Sequence, residues 1–312
     1  MNEAIRLKNI SKVYDLGVVK VHALKNVNLV VKKQEFTAIM GPSGSGKTTL
    51  LNMIGALDYP TSGRVYLDGI DITDFDEGEI TYIRCKKIGF IFQFFNLVPL
   101  LTAKENVMLP MLFAGELTVK EAEERAIELL TAVGMGERIN HAPHELSGGQ
   151  QQRVAIARAF ANSPAVILAD EPTGNTDFKT GASILNLMKR LNREEGQTFL
   201  LVTHDPGIAG IADRVIYVID GRVQHTRPDK VSPPTDAFRD YVKVDTKAEL
   251  SRLRSYKRRL KLIKKDLEML KSRKNQLDFI QYQYLKNHLS YYQHCLNLIS
   301  INYLLQNLLP FF

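Results

Sequence analysis

The residues Gly41-Pro42-Ser43-Gly44-Ser45-Gly46-Lys47-Thr48 constrain this chain more than any other stretch of it. They follow the apolar run Phe36–Met40 and lead into a helical pattern carried by Leu50, Leu51 and Ile54. A strand, a glycine-rich turn and a helix in that order match the Walker A pattern. In it, backbone N–H groups wrap phosphate oxygens, and the glycines supply dihedrals that a side chain would forbid. Lys47 is then placed to contact β- and γ-phosphates, and the Thr48 hydroxyl to ligate Mg²⁺.

Strand-like runs recur at residues 166–169, 199–203 and 215–219, and helical periodicity covers 119–133 and 149–161. This alternation predicts an α/β fold, a parallel core sheet flanked by helices. Residues 5–10 alternate apolar with polar and read as an edge strand. With residues 24–31 they suggest an antiparallel layer beside the core sheet. Val166-Ile167-Leu168-Ala169-Asp170-Glu171 is an apolar strand ending in two carboxylates, at the carboxyl edge where α/β proteins bind ligands. Asp170 suits the shell of a Mg²⁺ ion. Glu171 suits a general base that takes a proton from water attacking a γ-phosphate.

The formal charge of +7 on 312 residues invites a nucleic-acid reading until its distribution is inspected. Residues 246–274 hold 12 Lys and Arg against 3 Asp and Glu, leaving 29 against 31 elsewhere, a net of −2. The basicity belongs to one segment. Only Cys85 and Cys295 are present, without metal-ligand spacing, which suggests neither a disulfide framework nor a zinc site and fits a reducing, cytoplasmic setting. The N-terminus lacks the apolar stretch of a secretory signal, and no apolar run is long enough to span a bilayer.

Together these motifs resemble the nucleotide-binding subunits of ATP-binding cassette (ABC) transporters, over residues 5–224. The resemblance implies a P-loop NTPase domain with a parallel core sheet flanked by helices, an antiparallel β layer and a helical signature subdomain. It implies an ATPase that binds ATP and Mg²⁺, with Gly41 to Thr48 and the adjoining Thr49 around the phosphates and with Thr48, Gln93 and Asp170 at the metal. Leu146-Ser147-Gly148-Gly149-Gln150 matches the signature motif, whose Ser147 and Gly149, flanked by Gly148 and Gln150, meet the γ-phosphate of ATP held by the opposite subunit of a homodimer. The chemistry agrees, because a helix opening near Gly148 presents unpaired N–H groups and a positive dipole end to an anion. Gln93 matches the Q-loop glutamine, His204 the switch histidine that bonds the γ-phosphate, and Tyr14 the aromatic that stacks on adenine. Asp177 matches the aspartate of the D-loop, where Thr176 departs from the family's apolar residue.

Residues 92–102 and Glu105-Asn106-Val107 are similar to the lipoprotein-releasing and macrolide-export ATPases, as is the early loop from Tyr14 to Leu24. Members of that group sit peripherally on the cytoplasmic face of the membrane and drive a separate permease. Amino-acid importer ATPases and the cell-division type, which signals through a membrane partner, share part of the likeness. Soluble ABC ATPases of DNA repair or translation carry two cassettes or an inserted coiled coil. This chain shows neither, so no nucleic-acid partner is expected.

The composition divides the chain into an ATP-binding domain at 1–226, a linker at 227–245 marked by Pro228 and Ser232-Pro233-Pro234, and a basic extension at 246–312. In the extension Leu253, Tyr256, Leu260, Ile263, Leu267 and Leu270 form a heptad seam. Tyr282, Leu285, Leu289, Tyr292, Leu296, Ile299 and Tyr303 form a second seam, out of phase with the first by one residue. Two readings stand for this extension: helix pairing that stabilises a dimer, and basic contact with anionic lipid headgroups.

Overall fold

The structure, a computed structural model, describes residues 2–15, 17, 19–228, 231–235 and 237–238. Both heptad seams, the basic cluster and the later part of the linker lie outside the described residues. Met1–Arg193 with Gln197–Val242 form one compact unit; the second unit, Glu194–Gly196 with Lys243–Phe312, lies almost entirely outside the described residues.

Two sheets build the first unit. The antiparallel layer contains β1 (Glu3–Asp15), β2 (Lys20–Lys32), β4 (Ser62–Leu67) and the short β5 (Ile70–Asp71), in the order β2-β1-β4-β5. The expectation of an edge strand at residues 5–10 is therefore corrected: β1 pairs with β2 on one side and β4 on the other. Alternation reports that one face is buried, here through Ile5, Leu7 and Ile10, but it carries no information about how many neighbours the backbone pairs with.

The second sheet orders β10-β9-β3-β8-β7-β6, from β10 (Arg222–Gln224), β9 (Arg214–Ile219), β3 (Phe36–Met40), β8 (Phe199–Val202), β7 (Val166–Asp170) and β6 (Ile88–Ile91). All of its pairings are parallel except β10 with β9. Along β7, Ile167 and Ala169 enter one hydrophobic core while Val166 and Leu168 enter another. β8 divides likewise, with Phe199 and Leu201 on one side and Leu200 and Val202 on the other. The period of two thus builds a core on each face, so these strands are apolar throughout instead of alternating.

Helices cover both faces: α1 (Lys47–Ile54), α2 (Glu77–Lys87), α3 (Ala103–Ala114), α4 (Val119–Ala132), α5 (Gly148–Ala159), α6 (Phe178–Glu195) and α7 (Pro206–Ala209). Reciprocal capping boxes open four of them, at Asp76/Glu79, Thr102/Glu105, Thr118/Glu121 and Ser147/Gln150. No helix among the described residues is long and apolar enough to cross a membrane.

Candidate functional site

The fully buried β3 delivers the chain into the Walker A turn, and α1 begins as that turn ends. Gly46 caps α1 at φ 105°, and a Cβ there would lie 2.5 Å from the Ala23 carbonyl oxygen, so only glycine fits. The turn is braced from below: Gly221 N donates to Ser45 O at 2.9 Å. α1 has no side-chain cap and no acid in its first turn, which leaves its N–H groups and positive dipole end open to an anion. Lys47 Nζ donates to the Gly41 and Pro42 carbonyls at 2.9 and 2.8 Å, holding the ammonium over the loop. Burial lowers the Lys47 pKa, and the nearby Glu171 and Asp170 oppose that shift. Pro42, Ser43, Gly44 and Thr48 are exposed along the rim, and Thr49 is half-buried behind them.

β8 lies beside β3 and β7 beside β8, all parallel, so the three strands end at the same edge. Burial, then the charge of Glu171, raise the Asp170 pKa, against a smaller opposite effect of Lys47. Positive charge beside this carboxylate relieves that cost, and an oxygen set of Thr48, Gln93 and Asp170 is the kind a hard divalent cation takes. The donors therefore fit Mg²⁺. Glu171 turns the chain at φ 45°, in the left-handed region. There its Oε1 accepts from the His204 backbone N–H at 2.9 Å and pairs with His204 Nδ1 at 2.6 Å, while Oε2 accepts from Thr203 Oγ1 at 3.1 Å. The His204 ring is otherwise open to solvent, with its side chain 77% exposed.

Gln93 follows β6 and reaches the loop after β7. Asn175 Nδ2 donates to Gln93 O at 2.9 Å, and Gln93 Nε2 returns to Asn175 Oδ1 at 3.5 Å. Gly174 permits the approach, since a Cβ there would meet Gln93 Nε2 at 2.8 Å. Asp177 Oδ1 accepts from Thr180 N at 3.1 Å at the start of α6, and Thr176 Oγ1 donates to Thr173 O at 3.0 Å, closing the turn on itself. Tyr14 donates its hydroxyl to Asp58 Oδ2 at 2.9 Å, with Lys12 Nζ 4.9 Å over its ring. Burial and Asp58 raise its phenol pKa, and the neighbouring Thr49 works against them, which puts Tyr14 at the flank of the Walker A helix.

The Ser147 turn stands apart. Ser147 Oγ accepts from Gln150 N at 3.4 Å, and Gln150 Oε1 accepts from Ser147 N at 2.9 Å. This box closes two of the donors at the helix start, while the N–H groups of Gly148 and Gly149 fall in the first turn, which has no intrahelical acceptors. Among the described residues no hydrogen bond joins this turn to residues 41–49. Instead α5 is fastened to the loops around it: Gln152 Nε2 donates to Pro172 O at 2.6 Å and Arg158 Nη2 to Phe95 O at 2.8 Å. Asn175, Thr203, Gln152 and Arg158 all serve the site, and sequence reasoning singled out none of them. Only Thr203 carries a signal, as the last residue before His204.

The family model described as ABC transporter matches residues 24–174. A protein of Methanocaldococcus jannaschii, the ABC transporter ATP-binding protein MJ0796, is 56% identical over 223 residues, 70% of this chain and 95% of that one. The lipoprotein-releasing system ATP-binding protein LolD 1 of Chlorobium chlorochromatii is 47% identical over 227 residues, 72% of this chain and 92% of its own. Among solved structures, a dimeric post-hydrolysis state of the MJ0796 cassette bound to ADP and Pi superposes with a TM-score of 0.65 at 52% identity. It covers 72% of this chain and 99% of the other.

Proposed function

The chain belongs to the ATP-binding subunits of ABC transporters, and on that premise we propose that it hydrolyses ATP to drive a separate membrane permease through ATP-dependent dimerisation. The observation that carries this reading is the gathering of Lys47, Asp170, Glu171 and His204 at one sheet edge while the Ser147 turn bonds to none of the Walker A residues. A phosphate-ready turn with no bond to its own chain's phosphate loop is matched by a second copy placed face to face. The dimeric cassette bound to ADP and Pi supports that arrangement.

In this mechanism Gly41 to Thr49 hold the triphosphate and Tyr14 receives the adenine ring. Thr48, Gln93 and Asp170 would hold Mg²⁺, which supplies charge neutralisation at the β- and γ-phosphates. Glu171 takes the proton from water as its oxygen bonds to the γ-phosphorus, and the bond to the bridging oxygen of ADP breaks, giving ADP and phosphate. His204, oriented through Nδ1 on Glu171, turns its other ring nitrogen to the γ-phosphate. Ser147, Gly148, Gly149 and Gln150 close on the ATP of the partner copy, with Asp177 crossing the same interface. Loss of the γ-phosphate removes what both faces bind, so nucleotide state opens and closes the pair.

The likeness to the lipoprotein-releasing ATPase favours the export or mechanical-work group over importers, and a position on the cytoplasmic face of the membrane, held there by the permease. The loop after Gln93, with Phe94 and Leu100 exposed, is the docking place for that permease. Glu171→Gln tests the reading. It keeps the phosphate contacts and removes the base, so hydrolysis falls by about 10²–10⁴-fold while an ATP-bound dimer accumulates in size-exclusion chromatography. A variant that stays monomeric under saturating ATP contradicts the sandwich.

A further inference from the structure

Beyond β10 the described residues 225–228, 231–235 and 237–238 form no helix or strand and pack against β3, β9 and α7. Val231 is buried against Ala38, Met40, Ala209 and Tyr217, and Arg227 Nη1 donates to its carbonyl at 3.0 Å. Thr235 N then donates to Pro206 O at 2.9 Å. Two glycines of the switch region let the segment lie flat: a Cβ at Gly210 would sit 1.9 Å from Thr235 O, and one at Gly207 would sit 3.0 Å from Phe238 Cδ2. Phe238, only 5% exposed, stacks its ring on Phe178 with centroids 4.6 Å apart and planes 21° apart.

The residues this strap touches lie beside two groups the mechanism uses, His204 and Asp177. Pro206 opens α7 two residues after His204. Phe178 is the first residue of α6, directly after Asp177, and Asp177 fixes the start of that helix through Thr180 N. Asn175, in the same loop, holds Gln93. We propose that Phe238 is a positioning residue for the ATPase: stacked on Phe178, it sets the Gly174–Asp177 loop in the geometry that meets the partner copy. The inference rests on the dimer reading above. Thr176 bonds back to Thr173 within the loop, and the Phe178–Phe238 stack supplies an apolar contact directly beside it.

The test uses the full chain in the Glu171→Gln background and separates nucleotide binding by the monomer from ATP-driven dimerisation. Phe238→Ala and Phe178→Ala are each expected to weaken the ATP-bound dimer by about five- to tenfold in analytical ultracentrifugation. ATP affinity of the dilute monomer stays within about twofold, since the stack touches no phosphate contact. The double variant is no weaker than either single one, because both remove the same stack, and Phe238→Tyr, which keeps the ring, restores the parent's dimer. Should Phe238→Ala fold poorly by thermal melting, Phe178→Ala, at a half-exposed position, carries the test alone. Dimerisation equal to the parent's in Phe178→Ala, or additive losses in the double variant, overturns the proposal. A Glu171→Gln parent that never dimerises overturns the dimer reading and this inference together.

Discussion

Glu171 holds a backbone conformation that costs a non-glycine residue on the order of 1 kcal/mol. What it gains is direction: the turn swings the carboxylate off the strand axis, where three donors from Thr203 and His204 hold it. Hydrogen bonds to a charged group contribute about 1.5–3 kcal/mol each, enough to outweigh the strain. The same logic reaches Gln93 through Asn175. Asn175→Ala removes both bonds of that pair and frees the Gln93 side chain, so kcat should fall about fivefold, the equivalent of one hydrogen bond of roughly 1 kcal/mol. KM for ATP should hold steady, because no Walker A contact changes. Steady-state ATPase assays decide it; equal kcat in the variant would show that Gln93 is placed without Asn175. Asp170 and Glu171 were legible in the sequence because a strand end and its adjacent carboxylates are one local pattern. Asn175 was not, because its partner lies 82 residues away and only the fold brings them together.

At the scale of elements, α5 shows how tightly one helix start is specified. Ser147 and Gln150 cap it, Gln152 and Arg158 fasten it to the loops after β6 and β7, and Gly149 brings its first turn against α6, where an added Cβ would sit 2.3 Å from Thr180 Cγ2. Gly149→Ala therefore overpacks the α5–α6 junction, at a cost of about 1–3 kcal/mol. For a domain of this size each kcal/mol lowers Tm by about 2–4 °C. Thr180→Ser deletes the obstructing methyl and should return most of that loss in calorimetry. A Gly149→Ala protein that melts with the parent would mean that α5 shifts aside freely. The helical periodicity over residues 119–133 and a helix opening near Gly148 were visible in the sequence, and they match α4 and α5. The place of β1 between two neighbours was not, because strand order is decided by which partners close the layer and leaves no mark on the strand's own alternation.

At the scale of the whole molecule, the folded cassette and the basic segment at 246–312 can be tested apart. Among the described residues, the hydrophobic clusters on the two faces of the parallel sheet draw on residues between Ala4 and Phe238. A chain ending at residue 245 keeps every one of those side chains, so it should unfold in one cooperative step with Tm within a few degrees of the full chain and bind ATP unchanged. Its charge is a different matter. Residues 246–274 carry 12 basic against 3 acidic groups, while the remainder is slightly acidic, so any attraction to an anionic surface resides in the extension. Each Lys or Arg near such a membrane contributes about 1 kcal/mol at physiological ionic strength, and the attraction weakens as salt shortens the Debye length. Flotation with vesicles rich in phosphatidylserine should carry the full chain upward at 0.1 M salt, release it at 1 M, and leave the shortened chain at the bottom. Equal flotation of both chains would remove the lipid role from the extension and leave helix pairing as its function, which sedimentation of the two chains without nucleotide would then measure.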